Sequence, residues 1–108
     1  MFDLMVLYEW KPGLDTARIE HHFHLIRGLV GKVPGLVAIR VGPRTFGFGP
    51  GSEGWTHGCV MTFSNLADYL TFGRSPEHDE IAPALVVDLA RITAIGFDSP
   101  EISHKATV

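Results

Sequence analysis

The chain has 108 residues and a formal net charge of −3, with 45% hydrophobic and 19% charged residues. That balance fits one soluble globular domain and leaves no broad basic surface for nucleic acid. Its one cysteine, Cys59, excludes an intrachain disulfide and any multi-cysteine metal centre within one chain, which fits a reducing cytoplasm, and no run is apolar and long enough to span a bilayer.

The opening segment carries Asp3 and no basic cluster, unlike a secretory leader. From Phe2 to Trp10 the side chains alternate: Phe2, Leu4, Val6, Tyr8 and Trp10 share one face, and Asp3, Met5, Leu7 and Glu9 the other. This predicts a strand partly buried on both faces. Lys11-Pro12-Gly13 ends it, and Asp15 or Thr16 can accept from the free amides of a first helical turn. Ile19, Phe23, Ile26 and Val30 then recur at spacings of four, three and four, which predicts a helix from Asp15 to Val30, stopped by Gly31 and Pro34.

Leu36 to Val41 reads as a second strand. Gly42 to Gly54 holds five glycines and two prolines and is predicted to be a surface loop that covers a pocket, with Phe46 and Phe48 as apolar cover. Its Gly47-Phe48-Gly49 is not a phosphate loop, since neither a lysine-serine pair nor a helix start follows. Trp55 to Phe63 is predicted as the third strand, Asn65 to Phe72 as a short helix, Pro76 to Leu89 as another and Ile92 to Phe97 as the fourth strand. In the third strand Trp55, His57, Cys59, Met61 and Phe63 face one way, and Thr56, Gly58, Val60 and Thr62 the other. The order β-α-β-β-α-β implies an α+β, ferredoxin-like protomer: an antiparallel sheet with helices on one face. The other face then lacks cover, so a homodimer is expected, with Met5 and Leu7 on the open side. The domain is taken as residues 1–98, and the tail 99–108, with Pro100 and little periodicity, is expected to drape over the partner or remain disordered.

Histidines carry the candidate chemistry. Ser75-Pro76-Glu77-His78 sets an imidazole near a helix start, where the dipole favours its neutral, basic form, and His57 lies in the buried third strand. Two imidazoles facing one cavity can supply acid and base without a metal. Against this stand the plainer readings of His78 as a surface or capping residue and His57 as a hydrogen-bonded core residue. Glu20-His21-His22-Phe23-His24 looks like a metal cluster, but on a helix His21 and His24 turn to solvent while His22 lies beside the apolar stripe. No metal or other cofactor is therefore predicted, and His22 is carried forward as a polar group on a pocket wall. Cys59 shares a strand face with His57, about 7 Å away at the Cβ atoms, and reads as a core cysteine.

Tyr8-Glu9-Trp10-Lys11-Pro12-Gly13, Val33-Pro34-Gly35-Leu36, Gly54-Trp55-Thr56-His57, Thr62-Phe63, Ser75-Pro76-Glu77-His78 and Gly96-Phe97-Asp98 occur in that order. On these motifs the chain resembles the stress-responsive dimeric α/β-barrel (Dabb) family over roughly Phe2 to Asp98. The resemblance implies a ferredoxin-like protomer whose sheet pairs across a dimer into a barrel. Within the family, the resemblance to the olivetolic acid cyclase type implies that its catalytic histidine falls on His78 and a pocket histidine on His57. The cyclase tyrosine falls on Phe72, which has no hydroxyl, and its strand-one histidine near Leu4; Tyr69 and Tyr8 stand nearby as replacements.

The expected site is an apolar pocket between the first helix, the Phe72 to His78 segment and the inner sheet face. Leu4, Val6, Tyr8, Phe23, Ile26, Ile39, Cys59 and Phe72 are expected to line it, with Tyr69 close by and His57, His78 and His22 as polar points. The expected activity is cofactor-independent chemistry of the cyclase or lyase type on an aromatic or polyketide-like carbonyl compound. His78 removes a proton beside the carbonyl, and His57 or Tyr8 donates a hydrogen bond to the enolate. The alternative is a non-enzymatic, stress-responsive ligand-binding or structural dimer, which the missing hydroxyl at Phe72 favours.

Overall fold

Alternation at the N-terminus becomes β1 (Phe2–Trp10) in the computed structural model, which describes residues 1–99. Asp15 caps α1 (Thr16–Arg27), its carboxylate accepting from the Ala17 amide at 2.9 Å. The helix ends at Arg27 rather than Val30, because the chain turns away at Gly28 and reverses through Gly31 at φ 90°. Val30 is therefore exposed, and Leu29 instead takes the buried position.

After β2 (Leu36–Pro43), the glycine-rich loop leads into β3 (His57–Phe63). Asn65 caps α2 (Leu66–Phe72), accepting from the Asp68 amide at 2.8 Å. Ser75 caps α3 (Pro76–Asp88), its hydroxyl accepting from the His78 amide at 3.3 Å, and Pro76 occupies the first turn, where its missing N–H costs nothing. The last strand, β4 (Leu89–Asp98), starts earlier than the sequence pattern suggests. Trp10 pairs with Leu89 across a bulge and the Lys11 amide donates to the Asp88 carbonyl at 3.0 Å, so the ladder runs up to the end of α3. The expectation for the tail lies outside the described residues beyond Ser99.

All strand pairs are antiparallel and the order is β2-β3-β1-β4, the ferredoxin-like α+β topology, with three helices. Residues paired across antiparallel strands share a face, so the register sorts the two surfaces. On the inner face Val6 lies opposite Cys59 and Ala94, and Tyr8 opposite His57 and Ile92. Phe2, Tyr8, Trp10, Phe23, Ile26, Phe63 and Phe72 form the core there, with Phe63 fully buried. Gly96 belongs to this face as well, and a Cβ on it would enter the Phe2 ring. On the outward face Met5 lies opposite Val60 and Ile95, and Leu7 opposite Gly58 and Thr93. No described helix packs over Met5, 40% exposed, or Ile95, 64% exposed. No described helix is long and apolar enough to cross a membrane.

Candidate functional site

An interior cavity of about 210 Å³ lies between the inner sheet face and the helices. From β1 come Leu4, Val6 and Tyr8, from α1 Ile26, from α2 Tyr69 and Phe72, and from α3 His78, Ile81 and Leu85. The α3 contribution has a local cause: His78, Ile81, Ala82 and Leu85 recur at i, i+3, i+4 and i+7, one stripe of a helix. Leu29 and Met61 close the apolar wall.

His78 is the side chain that joins this cavity to water. Its side chain is 40% exposed, and the Phe72 ring meets the imidazole edge-on, with centroids 5.4 Å apart and planes at 83°. Nδ1 lies 3.4 Å from the Asp79 carboxylate, too long for a firm hydrogen bond. Among the described residues no partner engages Nε2, which leaves that nitrogen available as a proton acceptor.

Tyr8 supplies the buried hydroxyl of the cavity wall. Burial first, and then the neighbouring Cys59, push its phenol well above the ordinary value, while burial pushes the Cys59 thiol up to about 11. Both groups stay protonated near neutrality, so Tyr8 is a hydrogen-bond donor rather than a base.

The three expected polar points do not share one cavity. His57 and His22 gather instead around Trp10. The Trp10 indole donates to His57 Nδ1 at 3.2 Å, and its ring stacks on His22 with centroids 5.4 Å apart. Phe23 packs against Tyr8, Trp10 and His57, filling the space where a joint pocket was expected. An acceptor at Nδ1 puts the His57 proton on Nε2, and burial lowers its pKa, an effect that the more distant Glu20 carboxylate opposes. His22 is buried, with Nε2 2.6 Å from Asp88 Oδ2, and Arg18 Nε donates to the same oxygen at 2.5 Å. These hydrogen bonds, from Arg18 and then His22, hold the Asp88 carboxyl below the usual carboxylate range.

Of the expected lining residues, Leu4, Val6, Tyr8, Ile26, Tyr69 and Phe72 border the interior cavity together with His78. Phe23, Ile39 and Cys59 pack in the core without bordering it, and His57 and His22 lie outside it. Sequence reasoning missed Asp88, whose signal was an acid closing the apolar run Leu85-Val86-Val87, and the Ile81 to Leu85 wall, whose signal was the helical spacing from His78.

A second cavity, about 570 Å³, lies on the opposite side of the sheet beneath the loop between β2 and β3. Phe46, Phe48 and Trp55 line it with Met5, Leu7 and Val60. The loop, predicted to cover a pocket, borders this outward cavity, with Phe46 78% and Phe48 87% exposed. Its base is fixed by Arg91, which lies 3.8 Å over the Trp55 ring, pairs with Glu9 and donates to the Glu53 carbonyl.

The family model of the stress responsive A/B barrel domain (Dabb) matches residues 4–99. Among solved structures, a protein of Arabidopsis thaliana aligns with a TM-score of 0.84 at 20% identity, over 96% of this chain and 100% of that one. A hydroxynitrile lyase from Passiflora edulis aligns at 0.79 and 21% identity, over 94% and 96%. A dimeric ferredoxin-like protein of unknown function from Jannaschia sp. aligns at 0.78 and 24% identity, over 91% and 98%. These likenesses establish the fold. No curated protein matches the sequence.

Proposed function

We propose that this chain, which belongs to the stress responsive A/B barrel domain family, is a cofactor-independent acid/base catalyst for a small aromatic carbonyl compound bound in the interior cavity. The observation that carries the reading is His78, a half-exposed imidazole on the wall of an otherwise mostly apolar cavity with Nε2 unengaged among the described residues. In this reading His78 takes a proton from the carbon beside the carbonyl, and the Tyr8 hydroxyl donates to the enolate oxygen that results. His57 has no part in it, because Trp10 occupies its Nδ1 and it does not border the cavity. Similarity in fold to a hydroxynitrile lyase is in keeping with small carbonyl chemistry.

Size narrows the substrate. An apolar cavity of about 150 Å³ holds benzene, so the volume of about 210 Å³ suits one ring with a short carbonyl substituent. A linear polyketide of the cyclase type does not fit that space, and Phe72 offers no hydroxyl in the position of the cyclase tyrosine. The outward apolar face is proposed to seat a second copy of the chain, as in structural neighbours described as dimeric. A reducing, cytoplasmic setting suits the unpaired Cys59.

The phenylalanine at position 72 also supports the second reading, a dimer that binds such a ligand without changing it. One experiment separates the two: acetophenone is incubated with the protein in D₂O and deuterium at its methyl group is followed by NMR. Catalysed exchange that His78→Ala abolishes supports the enzyme. Saturable binding with no exchange above background supports the ligand-binding dimer.

A further inference from the structure

The interior cavity has a second phenol that the acid/base step leaves unused. Tyr69 lines it from α2, half-buried, with its ring fixed on two sides. Phe2 stacks on that ring with centroids 5.2 Å apart and planes at 25°, and Phe63 meets it edge-on at 5.5 Å. No side-chain hydrogen bond engages the Tyr69 hydroxyl among the described residues, in which every buried polar side-chain atom has a partner. The hydroxyl is therefore open to a ligand rather than sealed in the core.

The fold sets the order of the polar groups along the cavity. α3 ends where β1 ends, since the Lys11 amide donates to the Asp88 carbonyl at 3.0 Å, and β4 then returns antiparallel to β1. α3 therefore runs in the same sense as β1. His78 lies ten residues before Asp88, about 15 Å along a helix, which brings it near the level of Val6 on a strand that rises about 3.4 Å per residue. Tyr8 lies towards the Trp10 end of that level, its ring stacked on Trp10 with centroids 5.7 Å apart, and Tyr69 lies towards the other end, beside Phe2. Phe72, one helical turn after Tyr69, carries the wall across to His78. The imidazole stands between two phenols.

We propose that Tyr69 determines specificity, its hydroxyl pairing with a ring hydroxyl para to the acyl group, so that the compound bound is a 4-acylphenol. This rests on the reading of the interior cavity as the substrate site. The acyl group lies at His78 and Tyr8, the ring against Leu4 and Phe72, and the phenolic oxygen at Tyr69, whose hydroxyl can donate or accept. A para hydroxyl lengthens the ligand without widening it, which suits a cavity lined along β1 from Leu4 to Tyr8. No Asp, Glu, Lys or Arg among the described residues lines the cavity, so a carboxylate or ammonium on the ring would be buried without a partner, whereas a neutral hydroxyl finds one.

The test is an NMR titration of the full chain with 4′-hydroxyacetophenone and, separately, with acetophenone, deuterium exchange at the methyl group being followed in parallel. The expected result is that the hydroxylated ketone binds about tenfold more tightly to the wild type. Tyr69→Phe, which keeps the ring between Phe2 and Phe63, loses that preference while its affinity for acetophenone and the dispersion of its spectrum are unchanged. Equal affinity of the wild type for the two ketones, a preference that survives Tyr69→Phe, or no binding of either ketone would each overturn the proposal. A preference that Tyr69→Phe removes, with no deuterium exchange in any variant, upholds recognition by Tyr69 and refutes only the catalytic role of His78, so the two readings fail separately.

Discussion

Trp10 and His57 form a donor–acceptor pair, indole Nε1 to imidazole Nδ1 at 3.2 Å, on adjacent strands of the sheet. The bond needs a neutral Nδ1, and burial already disfavours the charged ring. Folded His57 therefore takes a proton only below its ordinary value of 6.5, whereas the unfolded chain takes it at that value. Below 6.5 the unfolded state binds more protons, so stability is fully present above that pH and is lost as pH falls through the folded value. Thermal melts at about pH 7.5 and about pH 5.5 check this: the midpoint drops in the wild type. His57→Asn, whose Oδ1 accepts from Trp10 without titrating, drops less; an equal drop would remove His57 from the account.

Phe63 is the least exposed residue of the core and touches the rings of Tyr69 and Phe72, with centroids 5.5 and 5.8 Å away. Phe63→Ala removes those contacts and leaves a void that β3 and α2 cannot close. The expected loss is about 3–5 kcal/mol, a large share of the stability of a domain of this size. Urea denaturation reads it as a lower midpoint at unchanged slope.

Phe72 meets the His78 imidazole edge-on at the cavity wall. Phe72→Tyr adds a hydroxyl at the far edge of that ring, where it can donate to an enolate formed by His78. The rate of deuterium exchange into acetophenone is expected to rise at least about tenfold. A rate at or below that of wild type would argue that the hydroxyl does not reach the reacting oxygen.

Ile95, on the edge strand β4, lies opposite Met5 on the outward face and is 64% exposed. Ile95→Glu sets a charge where a second copy would bury apolar surface. Light scattering after size exclusion is expected to give a dimer mass for the wild type and a monomer mass for the variant, with unchanged circular dichroism. A variant that remains dimeric would locate the interface elsewhere.

The strand faces were readable because a period of two sorts side chains without knowledge of the partner strand. Phe2, Val6, Tyr8 and Trp10 are buried while Met5 and Leu7 are exposed, as their alternation requires. Element ends were less legible. Val30 continues the helical stripe in sequence, but the turn at Gly28 takes it to solvent. Leu89 sits at the end of an apolar helical run, and only its pairing with Trp10 makes it a strand residue.

By itself, the sequence determined the order of elements, the two faces of the sheet and the helical start that presents His78. These depend on spacing and capping along a few residues, which act locally. Only the tertiary structure decided which histidines share a cavity. His57 faces inward as its strand parity dictates, yet Trp10 and Phe23 reach it from β1 and α1 and fill the space around it. Asp88, distant in sequence, likewise claims His22. Side chains compete for one close-packed interior, and that competition is resolved by packing between elements, which no local pattern encodes.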